Sequence, residues 1–240
     1  NVDDMGKIFD SEPGSVVVPN PNLEAEYAYN LDIGIAKLIA DRLKVDVTAY
    51  KTILNNALVR RDFTLNGQDS ILYDGEMSKV QAIQNAAKAD VYGLQIGINL
   101  KMFNGFRFNS DFNFQHGEEE LDDGTVSNSR HAAPWFGVSR ITYEYDKLKL
   151  QLYAQYQGER THDDLAEDEK GKDEIYAKDS NGETYAPSWY TLNLKGQYQL
   201  SKILMITAGM ENLTDQRYRP YSSGVSGAGR NFILSLTAKF

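Results

Sequence analysis

Polar and apolar residues alternate with a period of two over several long segments, and this pattern constrains the fold more than any other feature. In 147–157, for example, leucine and alanine alternate mostly with lysine and glutamine. Because successive side chains of a β-strand point to opposite faces of the sheet, such segments predict strands with one polar and one apolar face. The chain is therefore predicted to be all-β, and the clearest segments are 27–35, 43–49, 91–101, 106–115, 147–157, 189–200 and 203–210.

The predicted strands are long. They run roughly 10–14 residues, whereas strands of soluble proteins mostly have about 5–6, and a tilted strand of that length can cross a hydrocarbon layer of ~30 Å. Aromatic residues recur eight residues apart on one face, as in Tyr190 and Tyr198. This spacing corresponds to a rise of about 20 Å, close to the separation of the two aromatic girdles of a membrane barrel. A transmembrane barrel is favoured, and a soluble β-sandwich binding module stays open.

Short and long connections alternate along the chain. Tight turns are predicted at 40–41, 104–105, 146–147 and 201–202, and long polar links at 55–85, 117–133, 160–187 and 214–228. Outer-membrane barrels have short periplasmic turns and long extracellular loops. The long links are therefore expected outside the cell, and residues 1–22 are expected to form an extracellular loop that leads into the first strand.

The number of predicted strands suggests an incomplete barrel. Nine are counted, over 24–38, 42–54, 88–101, 105–116, 134–145, 147–158, 188–200, 203–213 and 229–240. Single-chain bacterial barrels have even strand numbers, and an open sheet would leave two unpaired edges. We therefore expect an antiparallel transmembrane β-barrel fragment.

Charge and composition exclude several classes of function. The net charge of −9 disfavours a nucleic-acid partner, and none is expected; the lack of cysteine removes disulfides and thiolate chemistry. Two acidic segments, 117–130 and 161–174, carry net charges of −4 and −5. Both are expected to be mobile, solvated loops without apolar anchors. No apolar stretch approaches the length of a transmembrane helix, and none of the common catalytic motifs is present.

The end of the chain resembles a known family. In 209–240 the residues Glu211, Asn212, Leu213, Asp215 and Tyr218, followed by Gly229, Arg230 and Phe232, resemble the last two strands of a TonB-dependent outer-membrane receptor. The segments 19–35, 86–98 and 130–145 are similar to three further stretches of that family, although Ala25 and Gln95 depart from the usual residues. The resemblance covers essentially all of 1–240.

This resemblance implies a fold, a location and partners. The chain would supply the last nine strands of a barrel of about 22 strands, with the plug and the earlier strands absent. It would lie in the outer membrane of a Gram-negative bacterium, contact lipid, and depend on the TonB–ExbB–ExbD system. Such receptors bind a scarce nutrient and perform no chemistry on it, so neither catalysis nor a cofactor is expected. Recognition by the barrel-assembly machinery is assigned to Phe232, Leu234, Leu236, Ala238 and Phe240.

Candidate ligand contacts are cationic and aromatic residues of the loops. They are Arg60, Arg61, His131, Tyr185, Trp189, Arg217, Tyr218, Arg219, Tyr221 and Arg230. An iron–siderophore complex or haem is favoured; a SusC-like glycan or cobalamin importer, an outer-membrane enzyme and an adhesin barrel remain alternatives. No metal site is predicted, because the half-motif at 179–182 lacks the glutamate that completes a calcium loop.

Overall fold

The computed structural model describes residues 6–12, 14–121, 124–130 and 132–239. These residues are almost entirely β-strand and connecting loop, with a single 3-10 turn at Glu167–Glu169. The strands, in chain order, are β1 (Phe9–Glu12), β2 (Ser15–Val18), β3 (Tyr27–Ile39), β4 (Leu43–Asp62), β5 (Ser70–Tyr73), β6 (Glu76–Lys101), β7 (Phe106–Glu120), β8 (Val126–Asn128), β9 (Phe136–Tyr145), β10 (Leu148–Gln157), β11 (Ala177–Lys178), β12 (Thr184–Tyr185), β13 (Trp189–Gln199), β14 (Leu204–Glu211) and β15 (Asn231–Ala238).

The predicted number of strands was too low. Each of the nine predicted strands has a long counterpart, but the described residues also contain six strands of two to four residues. Such short strands carry too few alternations to register as a period of two. The predicted link 55–85 is also largely strand, because β4 extends for 20 residues and β6 for 26.

The chain divides into two compact units, of which the first lies within 1–30, 52–90 and 118–127. Its core is conventionally apolar: β2 pairs in parallel with β6 at 79–82, and Val16, Val18, Val80 and Ala82 are completely buried. Aromatic and aliphatic side chains of 63–73 pack against this cluster. Each fully buried aliphatic side chain stabilises such a core by about 1.5–3 kcal/mol.

The second unit lies within 31–51, 91–117 and 128–240 and consists mainly of an antiparallel sheet. From β7 to β15 each long strand pairs with the next long strand in the chain, and β10 pairs with β13 over its full length from Leu148↔Tyr198 to Gln157↔Trp189. Among the described strands, β3 and β15 are each paired on one side only. The described sheet is therefore not closed into a barrel.

At three of the four predicted tight turns the backbone has the positive φ angles that short hairpins use. Ala40 and Asp41 have φ values of 49° and 53°, and Asn104 and Gly105 have φ values of 48° and 83°. Positive φ at both central residues produces a turn whose twist matches that of the paired strands. Asp146 likewise has a φ of 49° between β9 and β10.

The two faces of this sheet have the polarity of a membrane protein. Thr142, Thr191 and Asn193 are buried, whereas Leu194 and Leu234 are exposed, the latter to 76%. A soluble β-sandwich places its apolar faces inside, so the observed arrangement is the reverse of that fold. It is the arrangement that alternating strands adopt when their apolar face contacts lipid. Within the described part of the chain, no helix has the length and apolar character needed to span a membrane.

Candidate functional site

A cavity of about 350 Å³ lies among the loops of the second unit. Three segments line it: residues within 173–177 and 186–188, the latter followed by Trp189 at the start of β13, belong to the connection between β10 and β13, and 217–221 to the connection between β14 and β15. We call it the loop pocket, and the two connections loop A (158–188) and loop B (212–230). Among the residues predicted from the sequence, the structure brings together in this pocket Trp189, Arg217, Tyr218, Arg219 and Tyr221.

Aromatic rings form two walls of the loop pocket. The ring centroids of Trp189 and Tyr218 lie 4.4 Å apart, and those of Tyr176 and Tyr221 lie 6.3 Å apart. In each pair one ring comes from loop A or its junction with β13 and the other from loop B. The walls therefore exist only while the two loops keep their relative positions, and they offer flat surfaces for a ring or an apolar ligand.

The three predicted arginines of loop B have different roles. Arg219 donates through Nη1 to the carbonyl oxygens of Glu174 and Ile175, which joins loop B to loop A. Arg230 donates through Nη2 to the Leu213 carbonyl oxygen at 2.9 Å and so links the two ends of loop B. Arg217 lines the pocket, is exposed, and has no hydrogen bond or ion pair with the described residues. It is therefore the arginine whose charge is available to a ligand.

The other predicted contacts lie elsewhere. Arg60 and Arg61 belong to β4 rather than to a loop, because that strand continues to Asp62, and Arg61 Nη2 donates to the Glu120 carbonyl oxygen at 2.9 Å. Tyr185 lies in β12 opposite Ala177 and does not line the loop pocket. His131 and Phe240 lie outside the described residues.

Sequence reasoning missed the residue with the most extensive side-chain contacts in this region. Glu169 is completely buried, and its Oε1 lies 2.9 Å from Arg130 Nε and 2.8 Å from Lys172 Nζ. Its Oε2 accepts hydrogen bonds from the hydroxyls of Tyr176 and Ser222. In the sequence Glu169 is one acid among many in 161–174, so only the folded structure distinguishes it from its exposed neighbours.

The titration behaviour of this cluster follows from its contacts. Burial alone would raise the pKa of Glu169, but the hydrogen bonds from Lys172 and Tyr176 and the charges of Lys172 and Arg130 outweigh burial and lower the pKa below its ordinary value. Burial raises the pKa of the Tyr176 hydroxyl, and its hydrogen bond to the carboxylate raises it further. At neutral pH the cluster therefore holds an ionised carboxylate and a neutral phenol.

The expectation that the acidic segment 161–174 lacks apolar anchors was wrong. Leu165 and Ala166 are buried, and Leu165 packs in a cluster with Tyr176, Ala186 and Tyr221. Acids flank these two apolar residues on both sides in the sequence, and Asp164 and Glu167 are exposed while Leu165 and Ala166 are buried.

Three side-chain donors near the loop pocket have no partner within the described part of the chain. They are Gln157 Nε2, Arg160 Nε and Trp189 Nε1, and all three atoms are buried. Gln157 lies directly opposite Trp189 across the β10–β13 ladder, and its Oε1 accepts the backbone N–H of Tyr221 at 3.1 Å. Buried donors of this kind pair with water or with an acceptor atom of a ligand.

The half-motif at 179–182 forms a turn. The Asp179 Oδ1 atom accepts hydrogen bonds from the backbone N–H groups of Glu183 at 2.9 Å and Asn181 at 2.8 Å. These two bonds lower the pKa of the Asp179 carboxyl, and the bond from Glu183 has the larger effect. The Asp179 carboxylate is thus hydrogen-bonded to backbone N–H groups of its own turn. Over the described residues, no three His, Asp or Glu side chains are grouped so that they could hold a metal ion.

Comparison with known proteins places this architecture in a family. Residues 2–213 match the family model described as TonB dependent receptor-like, beta-barrel. The ferric enterobactin receptor of Pseudomonas aeruginosa is 26% identical over 244 residues, covering 92% of this chain and 30% of the relative. The hemoglobin and hemoglobin-haptoglobin-binding protein A of Haemophilus influenzae is 24% identical over 226 residues, covering 89% of this chain and 20% of the relative.

Solved structures agree on the fold. The siderophore receptor PirA of Acinetobacter baumannii superposes with a TM-score of 0.70 at 18% identity, over 94% of this chain and 33% of that structure. The chain thus spans about a third or less of the proteins that it matches. The family match covers most of the chain and agrees with the outward-facing apolar strands and the long loops. The chain therefore belongs to the TonB-dependent receptor family and forms part of its β-barrel domain.

Proposed function

We propose that the chain is part of an outer-membrane receptor that binds an iron complex, a ferric siderophore or haem, in the loop pocket. The observation that carries the proposal is the position of Arg217, an unpaired cation beside the contacting rings of Trp189 and Tyr218. Anionic, ring-bearing iron complexes present negative oxygens and flat apolar surfaces together. A cation next to aromatic walls complements both properties.

The unpaired donors support the same ligand class. Trp189, which lines the loop pocket, has a buried Nε1 donor without a partner among the described residues, and the unpartnered donors Gln157 Nε2 and Arg160 Nε lie behind the pocket lining. A ligand rich in carboxylate, catecholate or carbonyl oxygens would supply the missing acceptors. The names of the relatives agree with this proposal, since one is a ferric enterobactin receptor and the other binds haemoglobin.

The exposed apolar face supports a location in the outer membrane of a Gram-negative bacterium. Phe232, Leu234 and Leu236 of β15 are exposed on one face, as lipid-facing residues would be. In the proposed receptor the same residues, with Ala238 and Phe240, form the signal for the barrel-assembly machinery. Import of the bound complex would use energy delivered by the TonB–ExbB–ExbD system to a part of the receptor outside this chain.

Binding by the purified full-length receptor tests the proposal. Ferric enterobactin and haemin are titrated against the wild type, Arg217→Ala and Lys147→Ala, where Lys147 supplies the same charge change in the turn between β9 and β10. Arg217→Ala should weaken binding of an anionic probe by roughly tenfold, because the probe loses one charge contact, and Lys147→Ala should not. Tight binding of only a glycan or cobalamin would refute the assignment to iron complexes but would leave the role as a receptor intact.

A further inference from the structure

Three separate segments of the second unit meet at one buried carboxylate. Arg130 follows β8, Lys172 and Tyr176 lie in loop A, and Ser222 lies in loop B. All four direct donor atoms toward Glu169, and the Arg130 Nε atom also lies 3.3 Å from the Ser222 hydroxyl. The side chain of Glu169 therefore connects loop A to loop B and to the segment that precedes β9.

The same contacts reach the walls of the loop pocket. Tyr176 lines the pocket and donates its hydroxyl to Glu169, while Tyr221 lines the pocket and is adjacent in sequence to Ser222. One carboxylate therefore restrains both rings of this wall, Tyr176 through its own hydroxyl and Tyr221 through the neighbouring Ser222. If that charge is removed, Arg130 and Lys172 lose their shared anion, and the buried hydroxyl of Tyr176 loses its charged acceptor, which favours local rearrangement.

We propose that Glu169 is a positioning residue, whose buried carboxylate holds loops A and B in the arrangement that forms the loop pocket. Glu169 does not touch the ligand; it sets the geometry of Tyr176 and Tyr221, which do. The part of this inference that concerns ligand affinity rests on the proposed function. The part that concerns the coupling of the loops stands on the contacts of Glu169 alone.

Asp168 provides a matched control beside Glu169. Its side chain is 54% exposed, and its distances to Arg130 and Lys172 are 3.8 Å and 4.0 Å, longer than the corresponding distances of Glu169. Exposed ion pairs at such distances contribute little. Asp168→Asn therefore removes the same formal charge from the same turn without removing the buried contacts.

Trypsin digestion of the full-length receptor tests the coupling of the loops without any ligand. Cleavage after Lys170, whose Nζ pairs with Glu167 and not with Glu169, reports on the exposure of loop A. Glu169→Gln should accelerate this cleavage roughly tenfold or more relative to the wild type, and Asp168→Asn by no more than about twofold. Arg130→Gln, which removes a contact from a different segment, should act in the same direction as Glu169→Gln, and the double variant should fall short of the product of the two effects.

Ligand titration then tests positioning. Glu169→Gln should weaken ferric enterobactin or haemin binding roughly tenfold, and a saturating concentration of the probe should restore trypsin resistance, because ligand and carboxylate stabilise the same loop arrangement. A general folding defect would not be reversed in this way. Unchanged affinity and unchanged cleavage in Glu169→Gln would overturn the inference. A wild type that binds neither probe would refute the proposed function, and the cleavage rates would then decide the role of Glu169.

Discussion

The ring of Tyr218 lies directly over Gly227, and the Gly227 backbone N–H donates to the Tyr218 carbonyl oxygen at 2.9 Å. A Cβ atom on Gly227 would overlap ring atoms of Tyr218. Loop B therefore folds back on itself through a contact that only glycine permits. This contact fixes the ring that packs against Trp189.

Replacing Gly227 with alanine should displace Tyr218 and open the aromatic wall. We expect Gly227→Ala to weaken ligand binding roughly tenfold, since misplaced contacts lose most of their contribution to affinity. The matched control is Gly224→Ala in the same loop, because a Cβ atom there would meet no atom within 4 Å. Titration of both variants with ferric enterobactin and haemin measures the effect. Equal affinities of the two variants would show that the position of Tyr218 does not affect ligand binding.

The Glu169 cluster predicts a specific response to acid. Because its contacts lower the pKa of Glu169, the carboxylate stabilises the loops fully above the ordinary glutamate pKa of 4.5, and this stabilisation is lost as the pH falls through the lower folded value. The groups that face it are Arg130, Lys172, Tyr176, Ser222 and the nearby Asp168. Hydrogen exchange of 161–176 should stay constant from neutral pH to 4.5, after correction for intrinsic rates, and accelerate below it. In Glu169→Gln the acid-dependent step should be absent.

The polarity of β15 predicts unequal effects of neighbouring substitutions. Leu234 is exposed on the apolar face, and Ser235 follows it on the opposite face. Arginine at a lipid-facing midplane position costs about 2–4 kcal/mol, so Leu234→Arg should reduce assembly of the full-length receptor much more than Ser235→Arg. The amount of heat-modifiable receptor in outer-membrane fractions measures assembly. A larger defect for Ser235→Arg would mean that the faces are reversed.

The orientation in the membrane stays a prediction and can be tested by labelling. The chain contains no cysteine, so it contributes no background to single-cysteine experiments. Ser180 is exposed in loop A and Ser201 is exposed near the turn between β13 and β14. Ser180→Cys should react with a membrane-impermeant maleimide on intact cells, whereas Ser201→Cys should react only after the outer membrane is permeabilised. The opposite result would invert the topology.

The sequence predicted the long strands because alternation over ten or more residues has one structural interpretation, and Leu194 and Thr191 indeed lie on opposite faces. It also identified Trp189 and Tyr218 as candidate ligand contacts, but it did not predict that their two rings contact each other. It did not predict Glu169, because an acid that is buried by tertiary contacts has the same local sequence as an acid in water. Nor did it separate Arg217 from Arg219, since only the fold determines which guanidinium is occupied by backbone carbonyl oxygens.

We propose that the full-length protein is a receptor for iron complexes. The most direct test is growth of a receptor-deletion strain under iron limitation, complemented with the full-length gene and supplied with ferric enterobactin or haemin. We predict rescue by the wild-type gene and by Lys147→Ala on at least one of these iron sources, with weaker rescue by Arg217→Ala at limiting concentrations. Rescue only on a polysaccharide or on cobalamin, or no rescue on any nutrient, would contradict the assignment to iron complexes.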